Sequence, residues 1–315
     1  MSAVLSSLDA ARRTKSVHAS ISSRVRQAGD FILSKLSQKT HKSQPSSPLV
    51  VGINGAQGSG KTTLVHNLVS YLSQRNVTAV GFSLDDLYLP HKEQQKLAAT
   101  RQDNPLLRFR GQPGTQDIDL GRSTLLSLLQ GQETKLPKYD KSLNSGYGDQ
   151  LPVDQWPVVN LPVDVVLFEG WCLGFRPLDT YEFEKFLLGV HGSSHLYKYS
   201  RRYSDANLED INKGLEVFEQ RLYGLIDAWV YMRVTDIDVV YRWRKDQEDQ
   251  LAASGRPSLD DQQLEDFVTR FMPAYELALE KLDKRGFVSS GILSNATLRM
   301  HLDMDRNVVA YDHKL

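Results

Sequence analysis

LVVGINGAQGSGKTTL, residues 49–64, is a short apolar run that breaks into glycines and resumes as a helical pattern from Lys61 to about Gln74. That succession reads as strand, tight turn and helix. Within it, Gly55 to Thr62 spell GxxxxGK[ST] in the setting that makes the motif a phosphate loop. Glycines let the backbone turn and approach an anion closely, and successive N–H groups at the helix N-terminus face it. Lys61 adds a mobile charge for the β and γ phosphates, and Thr62 offers a hydroxyl to Mg²⁺. ATP with magnesium is the expected ligand.

Working outward, VTAVGFS (77–83), VDVVLFE (163–169) and AWVYMRV (228–234) read as further buried strands. They alternate with helical stretches near 118–130, 205–227, 235–252 and 260–283, while LRMHLDMD, DRN and VVAYD (298–312) read as a late strand or hairpin at the sheet edge. The alternation predicts an α/β fold: a P-loop NTPase three-layer architecture with a mostly parallel sheet and helices on both faces. Residues 87–161 hold turn signals and few strong strands, as expected of an acceptor-binding insertion over the carboxyl ends of the strands. A lid is expected at about 242–260, within a catalytic domain spanning 49–315.

Residues 1–48 are set apart by eight Lys and Arg side chains against Asp9 and Asp30. Two readings stand. Such a composition suits an organelle transit peptide. Alternatively Val17, Ile21, Val25, Ala28, Ile32 and Leu36 make residues 16–37 an amphipathic helix packed on the domain, the reading the periodicity favours, with SQPSSP (43–48) as a linker.

Catalysis needs carboxylates beside the loop. Strand 163–169 ends in Glu169, placed to hold or order the magnesium, and strand 77–83 leads into Asp85 and Asp86, one of which should face the site. A carboxylate there can orient an acceptor hydroxyl and take its proton. Arg242 and Arg244, on the helical stretch after the fourth strand, could close over the phosphates and neutralise charge during transfer. The insertion adds Arg108, Arg110, Asp117, Lys138, Tyr139, Asp140 and Lys141 among Gly and Pro turns, a loop composition suited to a small ligand or equally to solvated surface.

Composition excludes other classes. The 315 residues carry 40% hydrophobic and 24% charged side chains, the balance of a globular protein and not of a disordered or fibrous one. Lys+Arg and Asp+Glu are both 38, so no overall field favours nucleic acid or an anionic membrane. No apolar run reaches the ~18 residues of a membrane span. Cys172 has no partner for an intramolecular disulfide, which suits a reducing, cytoplasmic setting, and the eight histidines form no metal-ligand spacing. Asn212-Lys213-Gly214-Leu215 lacks the aspartate of the guanine-reading NKxD, which disfavours a GTPase. A monomer with a small-molecule substrate is expected.

GINGAQGSGKTTL, FSLDDLYL, FRGQPGTQDIDL, PKYDKSLNSGYGD, VVLFEGWCLGF, YRWRKDQE and FVTRFMPAYE, taken in order, resemble blocks of the eukaryotic D-glycerate 3-kinase family and its fungal ATP-binding kinase-like relatives, within the phosphoribulokinase, uridine kinase and pantothenate kinase superfamily. The resemblance covers about residues 17–283. It implies that Gly55, Ala56, Gln57, Gly58, Ser59, Gly60, Lys61, Thr62 and Thr63 hold ATP, that Asp85 activates the acceptor, and that Glu169 is the acidic residue at the metal. It also implies that Arg242 and Arg244 belong to the lid and that Arg110, Tyr139 and Asp140 line the acceptor pocket. Gln116 stands where relatives often carry histidine, and Tyr147 where plant-like sequences tend to have arginine. D-glycerate is the leading acceptor, with Arg110 as the partner of its carboxylate. A nucleoside, pantothenate or pentose phosphate acceptor, and an ATP-dependent switch module, remain alternatives.

Overall fold

The structure is a computed structural model that describes residues 22–40, 47–192, 195–256, 258–288, 293 and 296–314. A helix over residues 22–40, α1, precedes β1 (Leu49–Gly55), α2 (Lys61–Ser73) and β2 (Ala79–Ser83). The insertion follows, with α3 (His91–Thr100), α4 (Ile118–Leu129) and a small hairpin of β3 (Tyr139–Asp140) and β4 (Asp149–Gln150). The chain then runs through β5 (Val165–Gly170), α5 (Thr180–His191), α6 (Asp205–Arg221), β6 (Ala228–Val234) and α7 (Val239–Ala253). It ends in α8 (Asp261–Thr269), α9 (Met272–Arg285), β7 (Thr297–Leu302) and β8 (Val308–Lys314).

The six-stranded sheet has the order β2-β5-β1-β6-β7-β8, with β8 alone antiparallel to its neighbour. Every residue of β1 and β5 is buried, as is the first five-residue run of β6. Continuous burial, rather than alternation, is what a parallel sheet covered on both faces requires, and it explains the unbroken apolar runs in the sequence. The strands therefore stand where the hydrophobic runs place them, and the late hairpin forms the sheet edge.

The basic N-terminal stretch packs on the domain. Val25, Ala28, Phe31 and Ile32 of α1 are buried, and Lys39 ties the helix to the Pro48 carbonyl and the Asp227 carboxylate at 2.8 Å each. Val17 and Ile21, the first apolar positions of the expected 16–37 helix, lie outside the described residues.

Two expectations change. The 260–283 stretch is not one helix: α8 stops at Thr269 and α9 starts at Met272, with Pro273 in its first turn. Proline has no N–H and clashes with the preceding turn, so it fits a helix start and not a helix interior. Helix α5 is not among the helical stretches that the apolar periodicity predicts, although its start carries a reciprocal Asp179–Glu182 capping box. Its exposed Tyr181 and Leu188 blur the apolar stripe. No helix among the described residues is long and apolar enough to cross a membrane.

Candidate active site

Parallel register brings the chemistry to one edge. Ser83 of β2, Glu169 of β5 and Ile53 of β1 are level across the sheet, so the phosphate loop, the turn after β2 and the end of β5 open onto the same space. Gly58 and Gly60 take φ values of +78° and +91°, the left-handed backbone that lets the loop curl. A Cβ on Gly58 would also lie 2.7 Å from Cβ of Trp243, so the loop packs directly on α7. Helix α2 starts at Lys61 with no side-chain cap, which leaves its N-terminal N–H groups to a ligand.

Lys61 folds back onto the loop, donating to the Gly55 and Ala56 carbonyls at 2.8 and 3.2 Å. Burial pushes its ammonium pKa down, while Glu169 and Asp85 pull against that shift. Thr62 Oγ1 donates to Glu169 Oε1 at 2.8 Å. Burial raises the Glu169 carboxyl, as does nearby Asp85, against the opposing pull of Lys61, Thr62 and Ser83. A hydroxyl, a carboxylate and an ammonium thus meet at the start of α2.

Of the two aspartates after β2, Asp85 faces the site. Its carboxylate accepts from Lys141 Nζ at 2.5 Å and from the Tyr88 hydroxyl at 3.0 Å. Burial would raise its pKa, but Lys141, Lys61 and Tyr88 outweigh that and hold it below the ordinary aspartate value. Asp86 turns away to accept from Lys138 Nζ at 2.8 Å and from the Tyr139 amide.

Lys61, Thr62, Asp85, Tyr88, Lys141 and Glu169 wall a cavity of about 1700 Å³ between the loop, the insertion and α7–α8. Arg244 reaches it, stacked over Phe267 and held by Gln247 and the buried Glu248. Arg110 reaches it as well, yet its guanidinium donates to the Gly146 and Tyr147 carbonyls and so braces the 141–147 segment. Arg242 lies apart from the cavity wall, paired with Asp305 at 2.6 Å. Tyr139 and Asp140 are also off the wall. The Tyr139 ring packs on Gly148, and Asp140 caps its own turn through Ser142.

Several wall residues escaped the sequence reading. Trp171 follows Glu169 by two residues, and Arg270 and Phe271 occupy the break between α8 and α9. Pro273 could have flagged that break. Lys141, by contrast, is among the polar insertion residues that the sequence singles out, and it is on the wall; only its pairing with Asp85, 56 residues earlier, follows no spacing rule. Cys172 is buried, and desolvation raises its thiol well above the usual range, as for an inert core side chain.

The sequence model of the Phosphoribulokinase / Uridine kinase family matches residues 50–196. The chain is 35% identical over 266 residues to the chloroplastic D-glycerate 3-kinase of Arabidopsis thaliana; the match covers 83% of this chain and spans 54%, about half, of that protein. It is 36% identical to the uncharacterized kinase mug58 of Schizosaccharomyces pombe, over 76% of this chain and 83% of that one. Among solved structures, the D-glycerate 3-kinase of Cryptococcus neoformans var. grubii superposes with a TM-score of 0.83 at 34% identity, covering 92% of this chain and 99% of that one. At these identities over most of both chains, and with that superposition, the chain belongs to the D-glycerate 3-kinase group of kinases, and its residues 50–196 are similar to the phosphoribulokinase and uridine kinase family.

Proposed function

We propose that the protein transfers the γ-phosphoryl group of ATP to a hydroxyl of a small hydroxy acid, D-glycerate, giving 3-phosphoglycerate. The observation that carries this reading is the convergence of Lys61, Asp85 and Glu169 on one cavity beside the loop, which is what hydroxyl phosphorylation requires. The substrate rests on the relatives whose names carry D-glycerate 3-kinase and on a cavity wall rich in cations, Arg108, Arg110, Arg202 and Arg270 among them, suited to an acid.

The loop N–H groups and Lys61 bind the phosphates, with Lys61 leaving the Gly55 and Ala56 carbonyls to do so. Asp85, ionised because Lys141 and Lys61 hold its pKa down, orients the acceptor hydroxyl and receives its proton as the bond forms. Arg244 offsets charge on the migrating group. Arg242 and the 242–260 segment form a lid over the nucleotide, which requires Arg242 to leave Asp305.

No group of three or more His, Cys, Asp or Glu among the described residues makes a protein-only cation site. The Thr62 hydroxyl and Glu169 carboxylate, 2.8 Å apart, are hard oxygen donors of the kind that suits Mg²⁺ held together with phosphate oxygens and water. The ion would neutralise phosphate charge. Incubating the purified protein with MgATP and D-glycerate should yield 3-phosphoglycerate and ADP in equal amounts. Phosphorylation of a nucleoside or pantothenate in preference to glycerate would overturn the assignment.

A further inference from the structure

Two guanidinium groups, far apart in the sequence and neither of them on the cavity wall, meet the backbone of the phosphate loop. Arg24, from α1, is 7% exposed and donates to the Ser59 carbonyl at 3.3 Å. Arg306, in the β7–β8 turn, donates Nε–H to the Gly58 carbonyl at 2.8 Å, with its other nitrogens on the Trp243 carbonyl and the Asp246 carboxylate. Its φ of +67° is a backbone state that a side-chain-bearing residue adopts only where the surroundings impose it.

We propose that Arg24 and Arg306 are positioning residues for the nucleotide: both fix the orientation of the loop's peptides, and Arg24 also backs the loop with positive charge. In a trans peptide the C=O of one residue and the N–H of the next point in opposite directions. Anchoring the Ser59 carbonyl on Arg24 therefore turns the Gly60 N–H towards the phosphate side. Anchoring Gly58 on Arg306 supports the turn that Ser59 N–H closes onto the Ala56 carbonyl at 3.1 Å.

The charge bookkeeping of Arg24 points the same way. Among the described residues no carboxylate forms an ion pair with it, its Nε–H has no partner, and burial and the like charge of Arg306 both act against its charged form. A buried cation without a counter-ion is costly. A phosphate chain seated across the loop supplies the missing negative charge, so Arg24 is costly in the empty protein and favourable in the loaded one.

This gives the test an unusual sign. The inference rests on the loop's reading as a nucleotide site, and MgADP binding by calorimetry probes it with no acceptor present. Arg24→Gln in the full chain should weaken MgADP on the order of tenfold, the effect of one charge at roughly 10 Å through a protein interior. The melting temperature of its empty form should stay level or rise. Arg24→Lys, which keeps the charge, should bind close to native, and Arg306→Gln should weaken MgADP and raise KM for ATP without raising KM for the acceptor. Native MgADP affinity in Arg24→Gln, or loss in Arg24→Lys equal to that in Arg24→Gln, would overturn the proposal. If Arg24→Gln does not fold, Arg24→Lys and Arg306→Gln decide it by the same criteria. Native protein that binds no MgADP at all would overturn the nucleotide reading itself, a separate failure.

Discussion

Lys141 Nζ lies 2.5 Å from Asp85 Oδ2, so the carboxylate that opens onto the phosphate loop carries its own cation from the insertion. With the Tyr88 hydroxyl on the other oxygen, the pair sets both the direction and the ionisation of Asp85. Lys141→Met leaves burial as the larger influence, and the Asp85 pKa then rises. A carboxylate with a raised pKa loses its charge at higher pH as acid is added. The acid limb of kcat/KM should therefore move to higher pH in this variant. The neutral-pH rate should fall roughly 10- to 100-fold through misplacement of the acceptor. A pH–rate profile superimposable on the native one would refute the role given to this ion pair.

Asp85→Asn keeps the shape and the Tyr88 contact but cannot take a proton. Its kcat should fall by about 10²- to 10⁴-fold, the range for removing a positioned acid or base, with MgATP affinity within a few-fold of native. Single-turnover kinetics alongside nucleotide titration separate the two. A variant that binds acceptor poorly and turns over normally at saturation would make Asp85 a binding residue only.

The order of the loop, carboxylates and strands was legible because each is local: a glycine-rich run between strand and helix, and an acidic residue where an apolar run ends. Asp85 and Asp86 were indistinguishable in sequence. What separates them is Lys138, on Asp86, and Lys141, on Asp85, and both lie on the far side of the insertion. Arg242 and Arg244 pose the same difficulty. They are two residues apart on α7, about 200° around a helix, so they face different ways, and only the packing of Phe267 and Asp305 shows which one meets the cavity. Tyr139, Asp140 and Lys141 are adjacent in one polar loop; the resemblance implies the first two for the pocket, and the turn brings Lys141 to the wall.

Glu169 has a raised folded-state pKa, chiefly from burial, so at neutral pH its ionised form is a cost to the empty fold. Any stability this group contributes is present below its unfolded pKa and is lost as pH rises through the folded value. Glu169→Gln removes the charge and should melt no lower than native at neutral pH, with the advantage vanishing in acid below the ordinary glutamate range. The same variant should need about 10- to 100-fold more Mg²⁺ for half-maximal rate. An unchanged Mg²⁺ titration would remove Glu169 from the metal's surroundings.

Gly214 shows how tightly the insertion is held against α6. A Cβ at this α6 position would lie 2.6 to 2.8 Å from backbone atoms of Pro113 and Gly114, which belong to the segment running from Arg110 and Gly111 on the cavity wall to Gln116. Backbone cannot swing aside as a side-chain tip can, so Gly214→Ala must push α6 and this segment apart. The gain in helix propensity, about 1 kcal/mol, acts in the opposite direction. Overpacking a closed contact of this kind costs about 1–3 kcal/mol, so the net change should be destabilising. Because the displaced segment leads back to Arg110 and Gly111 on the wall, where the proposed acceptor would sit, KM for the acceptor should rise while KM for ATP holds. Chemical denaturation and steady-state kinetics on one preparation test both halves. Equal rises in the two KM values would mean that the strain spreads to the phosphate loop instead of staying in the insertion.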